Sequence, residues 1–537
     1  MTRLYRTLLG IKTGPPPGSH QVTFTVKEWF FDPDNSFTDT EVGILEYMTV
    51  KIVGEDEKLT NASGQAVFDL LPGTYTYEVY DMVRYLTTRK GTITVVDAAV
   101  SVDVKIYACL YTPSQVDNMI NPPAWTAGTY DEGWQVEHNS VIYQAGVETT
   151  EEPGSGTDWV VSSKYIPVAS ATELDGLRNA TGRRMGQGTI HDTVSNVVTG
   201  LDKKYVQVTD IDTYSLPEFS VVGLFSGLFD GNQIQTKTNK RLFLSNGCIL
   251  KNITVFGVVD SQLIPLTDSG CLLVAVSSNS TNDTQVINCH GYGEIYQYED
   301  ITAQAGLIAF SNSTYNVFVT TCSFTGYIKS SVGNTGGLIG SGSRLIVTDC
   351  HVDVVVDSTS INVGGLIGAA TGNCSVIKCS AKGGVKSTAT GTVRFGGFIG
   401  RYITSGSINN CTTSVICELP NGNYVGGFVG VAGSGTNISN SYSTGAVISS
   451  SSFRGGFAAL RNGTITNSYY DTQTSGQSDT GKGLPRTTAQ MQAGTASSFI
   501  NPDGTIDETE DPANAMYTGW DTDIWDFLTT NDYPELK

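Results

Sequence analysis

The sequence predicts an all-β chain: an N-terminal antiparallel β-sandwich, a small aromatic β module, then a parallel, right-handed β-solenoid closed by a C-terminal cap. Three observations predict the solenoid. A glycine-flanked apolar box recurs at Gly306, Gly337, Gly365, Gly397, Gly427 and Gly456, at intervals of 31, 28, 32, 30 and 29 residues. A second marker travels with it, an apolar residue three before a small one: Val286 with Cys289, Val319 with Cys322, Val347 with Cys350, Val376 with Cys379, Ile408 with Cys411, Ile438 with Ser441 and Ile465 with Ser468. Between residues 220 and 470 the chain is rich in Val, Ile, Thr, Ser, Asn and Gly, and short apolar runs bounded by turn residues replace helical spacing. Two markers in step at a period of roughly 30 residues identify stacked repeats.

A parallel solenoid pairs each strand with its equivalent one coil further on, so like residues stack along the core. Cys289, Cys322, Cys350, Cys379, Cys411, Ser441 and Ser468 are therefore expected to form an internal ladder of small residues, with Cys379 between Cys350 and Cys411 and with Cys374 outside it. Ile249 with Asn252 is a candidate first step of that ladder. The glycines are expected where the chain bends or two backbones come close.

The boxes GGLIG and GGFVG, followed by strands such as TNISNSYSTGAV, resemble the GLUG repeats of bacterial and phage surface proteins. The segment from Phe225 to Asn232 is similar to the turn that opens such domains, and GWDTDIWDFLTTNDYPELK is similar to their C-terminal cap. The resemblance covers residues 165–537, with the solenoid over 165–480 and the cap over 481–537. It implies a fold; its members serve as adhesins, stalks and fibre parts.

An N-terminal arm over 1–19 precedes a segment at 20–110 in which apolar and polar residues alternate between turn clusters, a β-sandwich signature. Asn61, Gly64, Phe68, Leu71, Pro72, Gly73 and Tyr75 resemble the hallmark of the prealbumin-like, carboxypeptidase-regulatory family, which implies a spacer or docking module. Residues 120–163 are dense in aromatics and resemble the short carbohydrate-binding module of chitinases, through Ala124, Trp125, Tyr130, Gly133, Val136, Tyr143, Ala145, Pro153, Gly154 and Trp159. Flat aromatic faces stack on sugar rings, so Trp125, Trp134, Tyr143 and Trp159 are the candidate carbohydrate-binding residues. Gly146 and Val147 stand where the family places an aromatic pair, and a forty-residue unit also needs its aromatics as core. Of the four, Trp134 has polar neighbours and is the one expected to be exposed.

A net charge of −20 argues against nucleic acid or an anionic membrane as partner. The acidic stretch NPDGTIDETEDPAN lacks the ligand order of a calcium loop and reads as a solvated turn. The first twenty residues lack the apolar core of a signal peptide, and no stretch is long and apolar enough to span a bilayer. Six of the ten cysteines occupy or adjoin the repeating strand position, which suits small buried hydrophobes better than disulfides or zinc knuckles. No metal or cofactor is expected.

Glycan-cleaving solenoids group two or three carboxylates at about 5 to 9 Å. Asp210, Asp212, Asp230 and Asp349 are the acids available, and turn or cap hydrogen bonding explains them as well as catalysis does. No Ser-His-Asp order or phosphate loop offers another chemistry. The sequence therefore predicts a non-enzymatic phage virion protein, a tail or head fibre or spike component. Its N-terminal part would dock to other virion proteins while the solenoid meets a host-surface glycan or protein. The alternatives are a tailspike-type glycan depolymerase and a secreted bacterial adhesin at the cell surface. Family expectation adds a homo-oligomer, a trimer, although no coiled-coil heptads enforce one.

Overall fold

The computed structural model describes residues 18–31, 39–45, 48–52, 55, 57–80, 89–96, 98–107, 113–132, 134–177, 203–216, 219, 222–263, 270–276, 280, 282–298, 303–311, 314–331, 333–389, 391–402, 404–420, 422–494, 498–527 and 532–537. The N-terminal arm lies almost wholly outside these residues. The chain divides into two compact units, the first ending at Val116 and the second spanning Asp117–Lys537.

In the first unit, alternation turns Val22, Phe24 and Val26 of strand β1 (His20–Phe31) inward. There they meet Val50, Ile52, Phe68, Leu70, Ile93 and Val95 in one buried cluster. Two sheets supply it. The first joins β2 (Asp39–Ile44), β1 and β5 (Gln65–Leu70), and the second joins β4 (Lys58–Leu59), β3 (Thr49–Ile52), β6 (Gly73–Tyr80) and β7 (Arg89–Val95). One pairing departs from the antiparallel expectation: β8 (Val100–Tyr107) runs parallel to β1. The chain changes sheet between β7 and β8, so no hairpin forces the last strand to reverse. The family-like turn forms as an Asx turn, with the Asn61 side-chain oxygen accepting from the amides of Ser63 (2.9 Å) and Gln65 (3.0 Å). Gly64 follows at φ +68°, where a Cβ would meet Ile44 Cγ2 at 2.4 Å.

The second unit is dominated by a parallel β-solenoid of about seven turns. One coil shows the pattern: a first strand Leu345–Thr348, a second His351–Ser358, a third Asn362–Gly364 and a fourth Ile367–Thr371. Equivalent strands stack into four parallel sheets of eleven, thirteen, six and nine strands respectively among the described residues. The first-strand register runs Val286, Val319, Val347, Val376, Ile408, Ile438 and Ile465, so the apolar marker of the sequence is one column of the core.

From Asn252 onward each passage from first to second strand turns on one left-handed residue: Asn252, Asn288, Thr321, Asp349, Lys378, Asn410, Asn440 and Asn467, all at φ between 47° and 54°. Asparagine tolerates this conformation best among residues with a side chain, which explains its repeated use. The corner amides also bond along the solenoid, Asn288 Nδ2 donating to Asn252 Oδ1 at 2.8 Å and Asn467 Nδ2 to Asn440 Oδ1 at 2.9 Å.

That geometry corrects the start of the series. Leu250, not Ile249, stands in register with Val286. Asn252 is a corner residue, and Ile253, fully buried, takes the inward place that Cys289 takes one coil later. A rule that asks for a small residue at that place cannot see an isoleucine filling it.

Both ends of the solenoid are covered. The short helix Ala171–Gly176 is capped by Ser170, whose hydroxyl accepts from the Glu173 amide at 3.2 Å, and it buries Leu174 and Leu177 in the solenoid core. At the other end Met491, Met516, Tyr517, Trp520 and Trp525 cluster with Tyr442 and Tyr469. The indole of Trp525 donates to Asn410 Oδ1 (3.2 Å) and that of Trp520 to the Asn467 carbonyl (3.2 Å), so the cap grips the corner column itself.

Candidate functional site

The small-residue column lies immediately inside the corner. Cys289, Cys322, Cys350, Cys379, Cys411, Ser441 and Ser468 are all buried, at 1 % exposure or less. Each polar atom plays two parts. The Cys289 amide donates to Cys322 Sγ, the Cys322 amide to Cys350 Sγ and the Cys350 amide to Cys379 Sγ, each at 3.4 Å. The Cys411 amide donates to Ser441 Oγ at 3.1 Å. The same groups donate back to the carbonyl two residues earlier: Cys350 to Thr348 at 3.2 Å, Cys379 to Ile377 at 3.1 Å, Ser441 to Ser439 at 2.8 Å. Turning the corner removes the amide from strand pairing, and the thiol or hydroxyl of the next coil satisfies it. Cys and Ser share what this needs, a donor-acceptor one bond beyond Cβ.

Cys374 begins a first strand instead, accepting from the Leu345 amide at 3.4 Å. The nine described cysteines are buried and unbridged. Burial pushes the Cys248 and Cys417 thiols up to about 12 and holds Cys350 and Cys379 well above the usual range, so they stay protonated donors rather than nucleophiles.

A second polar column stands beside it on the second strands, where His290, Ser323, His351 and Ser380 are in register. His290 Nδ1 lies 2.8 Å from Ser323 Oγ and His351 Nδ1 lies 2.9 Å from Ser380 Oγ. Burial lowers both histidines to about 4. In the unfolded chain they protonate near 6.5. Stability is thus fully present above about 6.5 and falls as pH drops towards 4, by at most about 3 kcal/mol for each histidine. Denaturant unfolding at pH 7 and pH 4.5 is expected to show this loss, and the double variant His290→Gln, His351→Gln should flatten it. An equal loss in that variant would rule the histidines out as its cause.

The four candidate catalytic acids each have structural partners. Asp210 accepts from the Gln235 amide at 3.2 Å, and Asp212 caps the turn Thr213–Ser215 through the Tyr214 amide at 2.9 Å. Asp230 is fully buried, accepting from the Asn232 amide (3.0 Å) and Asn252 Nδ2 (3.1 Å) and pairing with Lys251 at 2.9 Å. Asp349 occupies a corner and pairs with Lys378 at 3.1 Å. Among the described residues no group of three or more His, Cys, Asp or Glu side chains is arranged to hold a metal. No described helix is long and apolar enough to cross a membrane.

Asp471 was not singled out by the sequence. It is fully buried and organises the cap, accepting from the Gln473 amide (2.7 Å), Thr488 Oγ1 (2.7 Å) and the Tyr533 hydroxyl (2.6 Å). The readable signal was its place before Thr-Gln-Thr-Ser, an N-cap position.

In the aromatic module Trp159 is core, 6 % exposed, with its indole donating to the Glu151 carbonyl at 2.9 Å. Trp125, Trp134 and Tyr143 are half-buried and pack against the cluster of Val136, Ala145 and Trp159. Trp134, expected to stand free, is thus partly covered. Trp125 meets His138 edge-on at 5.3 Å, and His138 pairs with Glu152 at 3.2 Å.

The GLUG motif matches residues 421–448, the coil that carries GGFVG and Ser441. A protein of Evansella cellulosilytica, provisionally named a Gly-rich membrane protein, is 34 % identical over 139 residues, 24 % of this chain; the match spans only 13 % of that relative's length. Among solved structures, a chain from Bacteroides ovatus, provisionally identified as an immunoglobulin A1 protease, aligns with 50 % of this chain and 80 % of its own at 16 % identity and a TM-score of 0.34. A structure named IgA1 Protease aligns with 79 % of this chain and 29 % of its own at 13 % identity and a TM-score of 0.33.

Proposed function

We propose that the chain is a non-enzymatic attachment protein of a phage particle, docked to other virion proteins through its N-terminal sandwich and presenting its solenoid to a bacterial surface. One observation carries the non-enzymatic part. Asp210, Asp212, Asp230 and Asp349, the acids offered by the sequence, are each engaged in a turn, a cap or an ion pair. A glycan-cleaving groove needs two such groups facing one substrate bond. The GLUG match and the four stacked sheets support a surface-exposed solenoid, and a rigid rod of repeats suits projection outward from a particle. In this reading three copies assemble into one fibre or spike.

The test incubates the purified chain with a panel of bacterial strains and their purified capsular polysaccharides. Saturable adsorption to at least one strain without new reducing ends is the expected result. Sustained cleavage that Asp210→Asn abolishes would make the chain a depolymerase, and absence of adsorption would remove the attachment role. Immunogold labelling of intact particles, with light scattering on the purified chain, checks the location and the trimer.

A further inference from the structure

The outer face of the second sheet carries an aromatic band that the core does not use. Strands Thr254–Asp260, His290–Gln297 and Ser323–Ser330 point every second residue outward. Their register aligns Phe256 with Tyr292, Glu294 with Tyr327, and Asp260 with Tyr296 and Lys329. The rings of Phe256 and Tyr292 stack at 4.9 Å and 14°, and those of Tyr296 and Tyr327 lie 5.8 Å apart. Tyr298 beside them is 38 % exposed. In the next coils the aligned outward residues are Asp353, Val355, Lys382 and Gly384, so the band is a bounded patch on three coils.

Hydrogen-bonding groups are interleaved with the rings. The Tyr296 hydroxyl donates to Glu294 Oε2 at 2.7 Å and the Tyr327 hydroxyl to Asp357 Oδ2 at 3.3 Å. Lys386 lies 3.7 Å from the same Asp357 oxygen. Acids at Asp260, Glu294, Asp353 and Asp357 face Lys329, Lys382 and Lys386 on the same side, four against three, so this face carries no positive excess. The hydrogen bond to Glu294 pushes the Tyr296 hydroxyl up to about 12, keeping it a donor at neutral pH.

We infer that this band, built around Phe256, Tyr292, Tyr296 and Tyr327, binds an uncharged glycan chain lying across the coils. The inference rests on the attachment reading above and gives it a site. Stacked ring faces match the apolar faces of sugar rings, and the hydroxyls and carboxylates between them match sugar hydroxyls. A protein partner is the poorer fit, because interface centres are depleted of charge whereas charges here alternate with the rings. A polyanion is the poorer fit because the face has no positive excess.

Affinity electrophoresis of the full chain tests it, in gels holding dextran, galactomannan or hydroxyethylcellulose, and in parallel gels holding anionic hyaluronan. At least one neutral polymer is expected to retard the chain, and hyaluronan is not. Tyr292→Ala and Tyr327→Ala should each weaken that retardation about ten-fold, the loss of one stacking contact. Phe453→Ala, on a half-exposed ring of the third sheet, should leave it unchanged, and Trp134→Ala reads the aromatic module separately. Thermal melts establish that each variant is folded; Tyr292→Leu, which keeps apolar bulk without a ring, replaces Tyr292→Ala if the latter is not. No retardation by any neutral polymer, preference for hyaluronan, or retardation lost in Trp134→Ala but kept in the band variants would each overturn the site. Adsorption to cells separates the two levels. A chain that adsorbs equally well with and without Tyr292 and Tyr327 keeps its attachment role and loses this site; a chain that never adsorbs loses both.

Discussion

Gly365→Ala is expected to prevent the chain from folding to a stable solenoid, at a cost upwards of about 4 kcal/mol. A Cβ at this position would lie 2.1 Å from the Gly397 carbonyl oxygen and 3.0 Å from Val415 Cγ2. The backbone has no room to retreat, because the neighbouring coils repeat the contact: a Cβ at Gly337 would lie 2.0 Å from the Gly365 oxygen, and one at Gly397 would lie 2.2 Å from the Gly427 oxygen. Displacing one coil therefore compresses the next. Gly384→Ala is the matched control, since a Cβ there would sit 3.8 Å from its nearest neighbour, the Ile416 oxygen, and should change stability by less than about 0.5 kcal/mol. Denaturant unfolding, with soluble yield as a second readout, distinguishes the two. Equal behaviour of the two variants would refute the close-approach explanation of the box.

The second large effect is one of chemistry at constant size. Cys350→Ser should cost no more than about 1 kcal/mol, because a hydroxyl can take the Cys322 amide and give to the Thr348 carbonyl as Ser441 does in its own coil. Cys350→Val should cost about 3 to 4 kcal/mol: it strands a buried amide, worth about 1 to 3 kcal/mol, and forces a β-branched group between two thiols. Unfolding midpoints of the two variants decide it. If valine were tolerated as well as serine, the column would be hydrophobic packing and the hydrogen-bond relay would be incidental.

That relay marks the boundary of what the sequence conveys. Periodicity placed Val347 and Cys350 in every coil because stacking demands like beside like, and the fold class follows from that alone. The reading of the cysteines as small hydrophobes misses why serine replaces them and alanine does not: the thiol of Cys350 answers an amide freed at the corner of the neighbouring coil, that of Cys322, which exists only once the left-handed turn at Thr321 is in place. Likewise Ile249 was counted from the wrong end of its strand, since nothing in the local residues distinguishes an outward isoleucine from the inward Leu250. The aromatic band was illegible for a different reason. Phe256, Tyr292 and Tyr327 are up to 71 residues apart in sequence and become neighbours only through register. In the 120–163 segment aromatic density is local and therefore legible, and there Trp159 belongs to the core.

The asparagine corner also sets how this molecule can change. From the apolar residue of the first strand to the buried thiol or hydroxyl is three residues in all seven coils from Val286 to Ser468, while the glycine boxes are spaced anywhere from 28 to 32. Length variation is thus excluded from one connection and absorbed by the others. The corner works as a datum from which each coil is measured afresh, so residues gained or lost in a solvent-facing loop leave the next coil in phase. A protein built this way can revise its solvent-facing loops one by one while the stack beneath keeps count.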